Sequence, residues 1–209
     1  ESSNINIIGN DFERINTAIW AGNVSKLYFH QNNIINSTSG FATYFAGSNI
    51  SIFKNNFSKC ASSCVLHTNL GYEDNENINI YDNEFMNYTG SGIMLGTQTS
   101  SHNGISINNN TFQNGGTGVL IDAWYLYPKL ASNVIIYENI FYNLTSGFEL
   151  TLIGGKDFVI HNNSISNVDY GAKVMGSSLF TQNLTLENVS SLSLNSSRLD
   201  ITDFKDSSF

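Results

Sequence analysis

The sequence has a single proline, two cysteines, two arginines and no long apolar run. Each scarcity removes a class of protein. Without about 18 consecutive apolar residues there is no helical membrane span in this segment. With 9 Lys plus Arg against 17 Asp plus Glu, and a net charge of −8, no basic stripe exists to neutralise phosphates. Nucleic acid is therefore excluded as a partner. A structural zinc site needs about four ligands, and no second Cys pair joins Cys60 and Cys64 in KCASSC, so no metal is expected there. Those two thiols read either as a small disulfide or as two small hydrophobes, with the disulfide favoured by an extracellular setting. The chain opens on ESSN already inside a repeat and shows no signal peptide, as expected of a piece of a longer protein. No linker-like stretch divides it, so 1–209 reads as one domain.

Asparagine is what the sequence has in excess, 31 of 209 residues, and it recurs in a phrase. NINIIGNDF (4–12), NISIFKNNF (49–57), NINIYDNEF (77–85) and NVIIYENIF (133–141) are versions of one repeat. Aligning the last Asn of each version gives Asn10, Asn32, Asn55, Asn83, Asn110, Asn139 and Asn163, at intervals of 22, 23, 28, 27, 29 and 24. Five and three residues earlier stand aliphatic or aromatic pairs such as Ile50 and Ile52 or Ile78 and Ile80, and two residues later stands Phe or Ile. Such alternation is a strand with one apolar row. The residue before each Asn is polar or glycine, so the alternation resets and the chain bends. Asn suits a bend, because its amide both donates and accepts, and amides stacked on successive coils form a ladder.

About eight residues after each ladder Asn a second strand opens, at Thr17, Gly40, Ser63, Gly92, Gly118, Gly147 and Gly171. Its inward pairs are then expected to include Ala18 and Trp20, Cys64 and Leu66, and Ile93 and Leu95. Two clear strands and a short third one at the Phe make a triangular rung. The sequence thus predicts an all-β, single-stranded right-handed parallel β-helix of about 8 coils, with an Asn ladder and a Phe/Ile stack. Regular coils are expected over 4–176 and degenerate ones over 177–209, where Leu192, Leu194 and Leu199 match the phrase and Ser197 takes the ladder seat.

The I-x-I-x-x-N-x-F and G-φ-x-φ phrases resemble the repeats of pectate lyase-like β-helix proteins, of the copper-maturation β-helix family and of disaggregatase-related archaeal surface proteins. The resemblance covers residues 4 to about 176. It implies the fold, but one scaffold hosts lyases, hydrolases, tailspikes and adhesins. It also implies a substrate groove along the outer side of the strand opened by Gly. The two outward rows there are expected to read Ile19, Ala42, Val65, Met94, Leu120, Glu149, Lys173 and Ala21, Tyr44, His67, Gly96, Asp122, Thr151, Met175. The first row begins as an apolar stripe, which more often packs under a loop or partner. If the chain is an enzyme, Asp122 and Glu149 are its acid pair, at a separation of roughly 6 to 9 Å suited to inverting hydrolysis. Lys173 beside Glu149 favours a plain ion pair instead. Calcium enters only if the chain is a lyase, and the acidic cluster and Arg that the resemblance implies have no match on these rows.

Three adjacent insertions, 68–77, 97–104 and 123–133, raise a wall bearing Tyr72, His102, Trp124, Tyr125 and Tyr127, which together with His67 beside it are the candidates for carbohydrate binding. Aromatic faces beside hydrogen-bonding groups hold sugar rings. The alternative is a lid folded over the apolar stripe. His30 and His161 share an outward seat of the first strand with Phe53, Tyr81, Asn108 and Tyr137, but lie too far apart to share a metal. Their aromatic companions are expected to stack.

Eleven Asn-x-Ser/Thr sequons occur where the composition gives about six by chance. The glycosylation candidates are Asn23, Asn183 and Asn188, then Asn49, Asn36, Asn87, Asn143 and Asn195. Asn36, Asn87 and Asn143 lie four residues after a ladder Asn, where a second, buried ladder would bar a sugar. Low charge and many sequons resemble archaeal surface glycoproteins. Taken together, an extracellular or cell-surface glycoprotein module is expected, structural, adhesive or carbohydrate-binding, with glycans or neighbouring surface-protein subunits as partners and no cofactor. A polysaccharide-degrading enzyme is the alternative, and a viral or filament subunit the second alternative.

Overall fold

The computed structural model describes residues 2–22, 24–43, 47–69, 75–97, 102–123, 131–151, 156–175, 178–195, 198–202 and 205–206. Side chains are described for these residues except 2–3, 66–69, 75–76, 97, 102, 122–123, 131–132, 156–157, 178–181, 194–195, 198–202 and 205–206.

Each repeat of the phrase is one coil of a parallel β-helix. The first strands of successive coils, from Ser2–Ile8 to Arg198–Thr202, hydrogen bond in sequence order into a nine-stranded sheet, one more strand than the expected number of coils. Ile5, Leu27, Ile50, Ile78, Ile105, Val134 and Phe158 are consecutive partners in this sheet. The period-2 alternation puts them all on the inner side, where all but Ile5 are buried.

The second strand is short, as at Asn56–Ser58 and Glu84–Met86, and places the Phe of the phrase inside. The rings of Phe57, Phe85, Phe112 and Phe141 stack at 5.0, 4.7 and 4.7 Å. The third face begins with separate strands such as Ser39–Thr43 and Ser91–Thr97. From Thr111–Ala123 onward the second and third strands run on as one, again in Ile140–Thr151, Ser164–Met175 and Thr185–Asn195.

The bend between the first two strands is held by the ladder. Asn55 Nδ2 donates to Asn83 Oδ1, Asn83 to Asn110, Asn110 to Asn139 and Asn139 to Asn163, each at 3.0 Å. Each backbone N–H joins the same oxygen, and each Nδ2 also reaches a carbonyl of the preceding coil, as Asn83 does at Ile52. These amides are 1–2% exposed from Asn32 on, so the ladder satisfies groups that water does not reach. The residue before each ladder Asn is left-handed, φ near +55° at Gln31, Lys54, Asp82 and Glu138. A second left-handed row, Asn36, Lys59, Asn87, Asn114, Asn143, Asn167 and Asn188, turns the next corner. Asn tolerates this region better than other side chains.

Three expectations are corrected by the structure, two of them by register. On the third face Ile19 pairs with Phe41, and Phe41 with Val65. Ile19 and Val65 are therefore inward, and Trp20, 66% exposed, is outward. The sequence misleads here because Ala18 and Cys64 take the seat that other coils give to glycine. Gly118 shows why glycine is favoured: a Cβ there would lie 2.5 Å from the Phe141 ring and 2.7 Å from the Gly147 carbonyl. Second, the ladder seat after Asn163 is the buried Leu184, which precedes Thr185–Asn195 as Asn163 precedes Ser164–Met175. Ser197 lies outside the described residues, Leu194 pairs with Val174 on the third face, and Leu199 pairs with Leu179 on the first. Third, Cys60 and Cys64 are buried free thiols, hydrogen bonded to each other, in place of the expected disulfide.

Candidate functional site

The outward row of the third face runs Trp20, Ala42, Met94, Leu120, Glu149, Lys173 and Ser193, with the Leu66 backbone in register between Ala42 and Met94. It is an apolar rail that changes to charge at Glu149. Ala42 is 0% exposed although it faces outward, so the rail is covered at that point. The Ser63 hydroxyl lies 3.7 Å from Met94 Sδ beside it.

Past Leu120 the surface opens into a cleft of about 350 Å³, whose polar lining includes Glu149, Thr151, Tyr170, Lys173, Ser191 and Ser193. Cross-strand pairing brings Lys173 Nζ to 3.2 Å from Glu149 Oε1, both side chains about one-third exposed. The Thr117 hydroxyl reaches the same oxygen at 3.5 Å. Lys173 Nζ also stands 3.9 Å from the centroid of the Tyr170 ring, a cation–π contact that fixes the ammonium over the phenol. The cleft thus offers a held cation, a carboxylate with free acceptor capacity, an aromatic ring and several hydroxyls.

The expected Glu149–Lys173 ion pair is formed. Asp122 pairs through its backbone with Thr151 while Leu120 pairs with Glu149. Asp122 and Glu149 therefore sit diagonally on neighbouring strands, and the Asp122 side chain is outside the described set. His67 is in register with the buried Thr43 and Leu95, not with Gly96 as expected. His102 opens the strand His102–Asn108. The side chains of His67 and His102 are not among those described, and Tyr72, Trp124, Tyr125 and Tyr127 lie outside the described residues altogether.

Sequence reading missed Tyr170, Thr117 and Ser191. They occupy the seat just before the glycine position, a third outward row that the two-row reading omits.

On the first face, the aromatic seat stacks as expected: His30 on Phe53, Phe53 on Tyr81, and Tyr137 on His161. His30 Nε2 is 3.0 Å from Asn6 Oδ1. Among the described residues no three His, Cys, Asp or Glu side chains are grouped as metal ligands.

The second Asn ladder exists, but on the surface. Asn143 donates to Asn114 at 2.7 Å and Asn114 to Asn87 at 3.4 Å, and Asn36, Asn87 and Asn143 are exposed. The expectation that burial bars these sequons is therefore wrong: at a left-handed corner the amide points along the outer edge. Asn49, Asn183 and Asn188 are exposed as well, while Asn23 and the Asn195 side chain are not described.

Residues 1–126 match the family model described as right handed beta helix region, and the chain belongs to that family. Among proteins with curated functions none matches it by sequence. The fold resembles a solved variant of the catalytic domain of GH87 alpha-1,3-glucanase in complex with nigerose. Identity is 15% and the TM-score 0.51 over 93% of this chain and 48% of that one. A second variant of a GH87 alpha-1,3-glucanase catalytic domain, in complex with tetrasaccharides, aligns at 12% identity and a TM-score of 0.46 over 97% and 49%. The chain spans about half the length of each.

Proposed function

We propose that this chain is an extracellular β-helix module that recognises glycans, with the cleft around Glu149, Tyr170 and Lys173 as its main seat. The observation that carries the reading is the composition of that cleft. A charge pair with unused hydrogen-bonding capacity, an aromatic ring and hydroxyls converge where the apolar rail ends. Sugars ask for this mixture, because their hydroxyls need charged or amide partners while their C–H faces need apolar ones. That a domain of similar fold is solved with nigerose supports the ligand class by analogy of scaffold. Exposed sequons at Asn36, Asn49, Asn87, Asn143, Asn183 and Asn188 support the extracellular setting. At these corners a glycan would leave the edge of the rod without disturbing the core.

The diagonal placement of Asp122 and Glu149 favours hydrolysis as a second reading, weakened by the engagement of Glu149 with Lys173 and Thr117. One screen separates the two: a panel of polysaccharides assayed for retention by affinity electrophoresis and for new reducing ends. Recognition gives retention without cleavage, reduced about tenfold or more in Lys173→Ala and Tyr170→Ala, a loss of about 1.4 kcal/mol or more. Cleavage abolished by Asp122→Asn and by Glu149→Gln would establish the enzyme instead.

A further inference from the structure

The outer seat of the first face holds His30, Phe53, Tyr81, Asn108, Tyr137 and His161 on successive coils. Their rings stack almost parallel, at 4.5 Å for His30 on Phe53, 4.8 Å for Phe53 on Tyr81 and 5.0 Å for Tyr137 on His161. Between Tyr81 and Tyr137 this column is interrupted by Asn108. Its carboxamide leans along its own strand, where Nδ2 donates to Ser106 Oγ at 3.0 Å. Two coil repeats of ~4.8 Å set the Tyr81 and Tyr137 rings roughly 9.6 Å apart. That is about twice the spacing within the column, so one more ring fits between them with the same contact on both sides.

We propose that the slot between Tyr81 and Tyr137, floored by Asn108, is a seat for a single pyranose ring. Both C–H faces of the sugar would stack on tyrosine, an arrangement that a flat aromatic surface offers on one side only. The rim is polar: Asp82 accepts from Asn109 Nδ2 at 2.6 Å at the adjoining corner, and Glu138 follows on the next coil. An apolar ring from a partner protein would leave this rim unmatched, and an anion would meet two carboxylates. Sugar hydroxyls satisfy it. Burial, then the nearby Asp82 charge and Tyr28, push the Tyr81 phenol above its ordinary range, which favours its O–H as a donor. The inference borrows only the ligand class from the proposed function, since the slot shares no residue with the cleft.

The test is saturation-transfer NMR on the whole chain, irradiating aromatic protons in the presence of methyl α- and β-glycosides of glucose, galactose and mannose. Transfer to the ring C–H protons of at least one glycoside is expected to persist in Lys173→Ala, where the cleft is disabled, and to be lost when Asn108→Tyr or Tyr137→Ala is added in that background. Asn108→Tyr should melt higher than the parent, because its new ring completes the column, which shows that the loss of signal is not misfolding. Absence of transfer to every glycoside in Lys173→Ala, or undiminished transfer when Asn108→Tyr is added to it, would overturn the proposal. Transfer to p-cresol that is lost in Asn108→Tyr, with none to any glycoside, would assign the slot to a partner's aromatic side chain and overturn it too. Failure of the cleft reading has a different signature: polysaccharide retention unchanged in Lys173→Ala.

Discussion

At the scale of single residues, the same amino acid does different work according to its seat. Asn83 accepts from the N–H and Nδ2 of Asn55 and donates to Ile52 O, Tyr81 O and Asn110 Oδ1, all but the Tyr81 bond buried. Asn10 is exposed, and among the described residues no amide donates to it. Asn83→Ala strands several buried groups at ~1–3 kcal/mol each, so a loss of about 3 kcal/mol or more is expected from urea titration. Asn10→Ala should cost under about 1 kcal/mol, and equal costs would contradict the ladder's role. These seats were legible in the sequence because asparagine recurs beside an apolar alternation that only one geometry satisfies. Leu184 was not legible, because an aliphatic residue in an amide seat carries no sign of where the ladder stops. Ionisable groups in the core give a second residue-level expectation. The Cys64 thiol is pushed well above its ordinary range by burial and then by Cys60, and the Tyr88 phenol by burial and then by Cys64. Both stay protonated in the folded state after the unfolded chain has begun to ionise. Stability from these groups is therefore complete below the unfolded thiol value near 8.5 and declines as pH rises above it, more steeply above about 10. Thermal midpoints measured from pH 7 to 10.5 should fall over that window, and the fall should shrink in Cys64→Ala.

At the scale of elements, the inward Phe column sets what the third strand is able to carry. Phe112 is fully buried between Phe85 and Phe141. Phe112→Ala is expected to lower stability by about 3–5 kcal/mol, read as a lower melting temperature, whereas Thr111→Ala on the outer side of the same strand should have little effect. The ring column also accounts for the glycine seat, and that dependence is where sequence reasoning slipped. A spacing of about eight from the ladder makes Ser63 the equivalent of Gly40, but in the coils of Asn55 and Asn83 that seat falls nine residues on, at Cys64 and Gly92, because each carries one extra corner residue. The corner holds Cys60 in one coil and Tyr88 in the next, and Gly115 below leaves room for the Tyr88 ring. Register on the third face is thus fixed by packing across coils, which a pattern read along one coil does not contain. The outer Tyr81–Asn108–Tyr137 seat obeys the same column logic, and completing it in Asn108→Tyr should add about 0.5–1.5 kcal/mol for each new ring pair.

At the scale of the molecule, the rod has a rigid interior repeated coil by coil and a third face whose character changes along its length. The first half of that face is an apolar rail and the second half a polar cleft, on one parallel sheet whose register shifts between Tyr170 and Lys173. The fold was readable because every coil repeats its instructions. The cleft was only partly readable: Glu149 and Lys173 stood out as charges in an apolar row, but Tyr170 and Ser191 gained meaning only when neighbouring coils were placed beside them. Glycan recognition by this cleft is the central claim, and a crystal structure of the chain with a retained oligosaccharide tests it most directly. Electron density for a sugar within hydrogen-bond reach of Glu149 and Lys173 and stacked near Tyr170 is the expected result. Density confined to other surfaces, with the Glu149–Lys173 pair and its cleft filled by water alone, would contradict it.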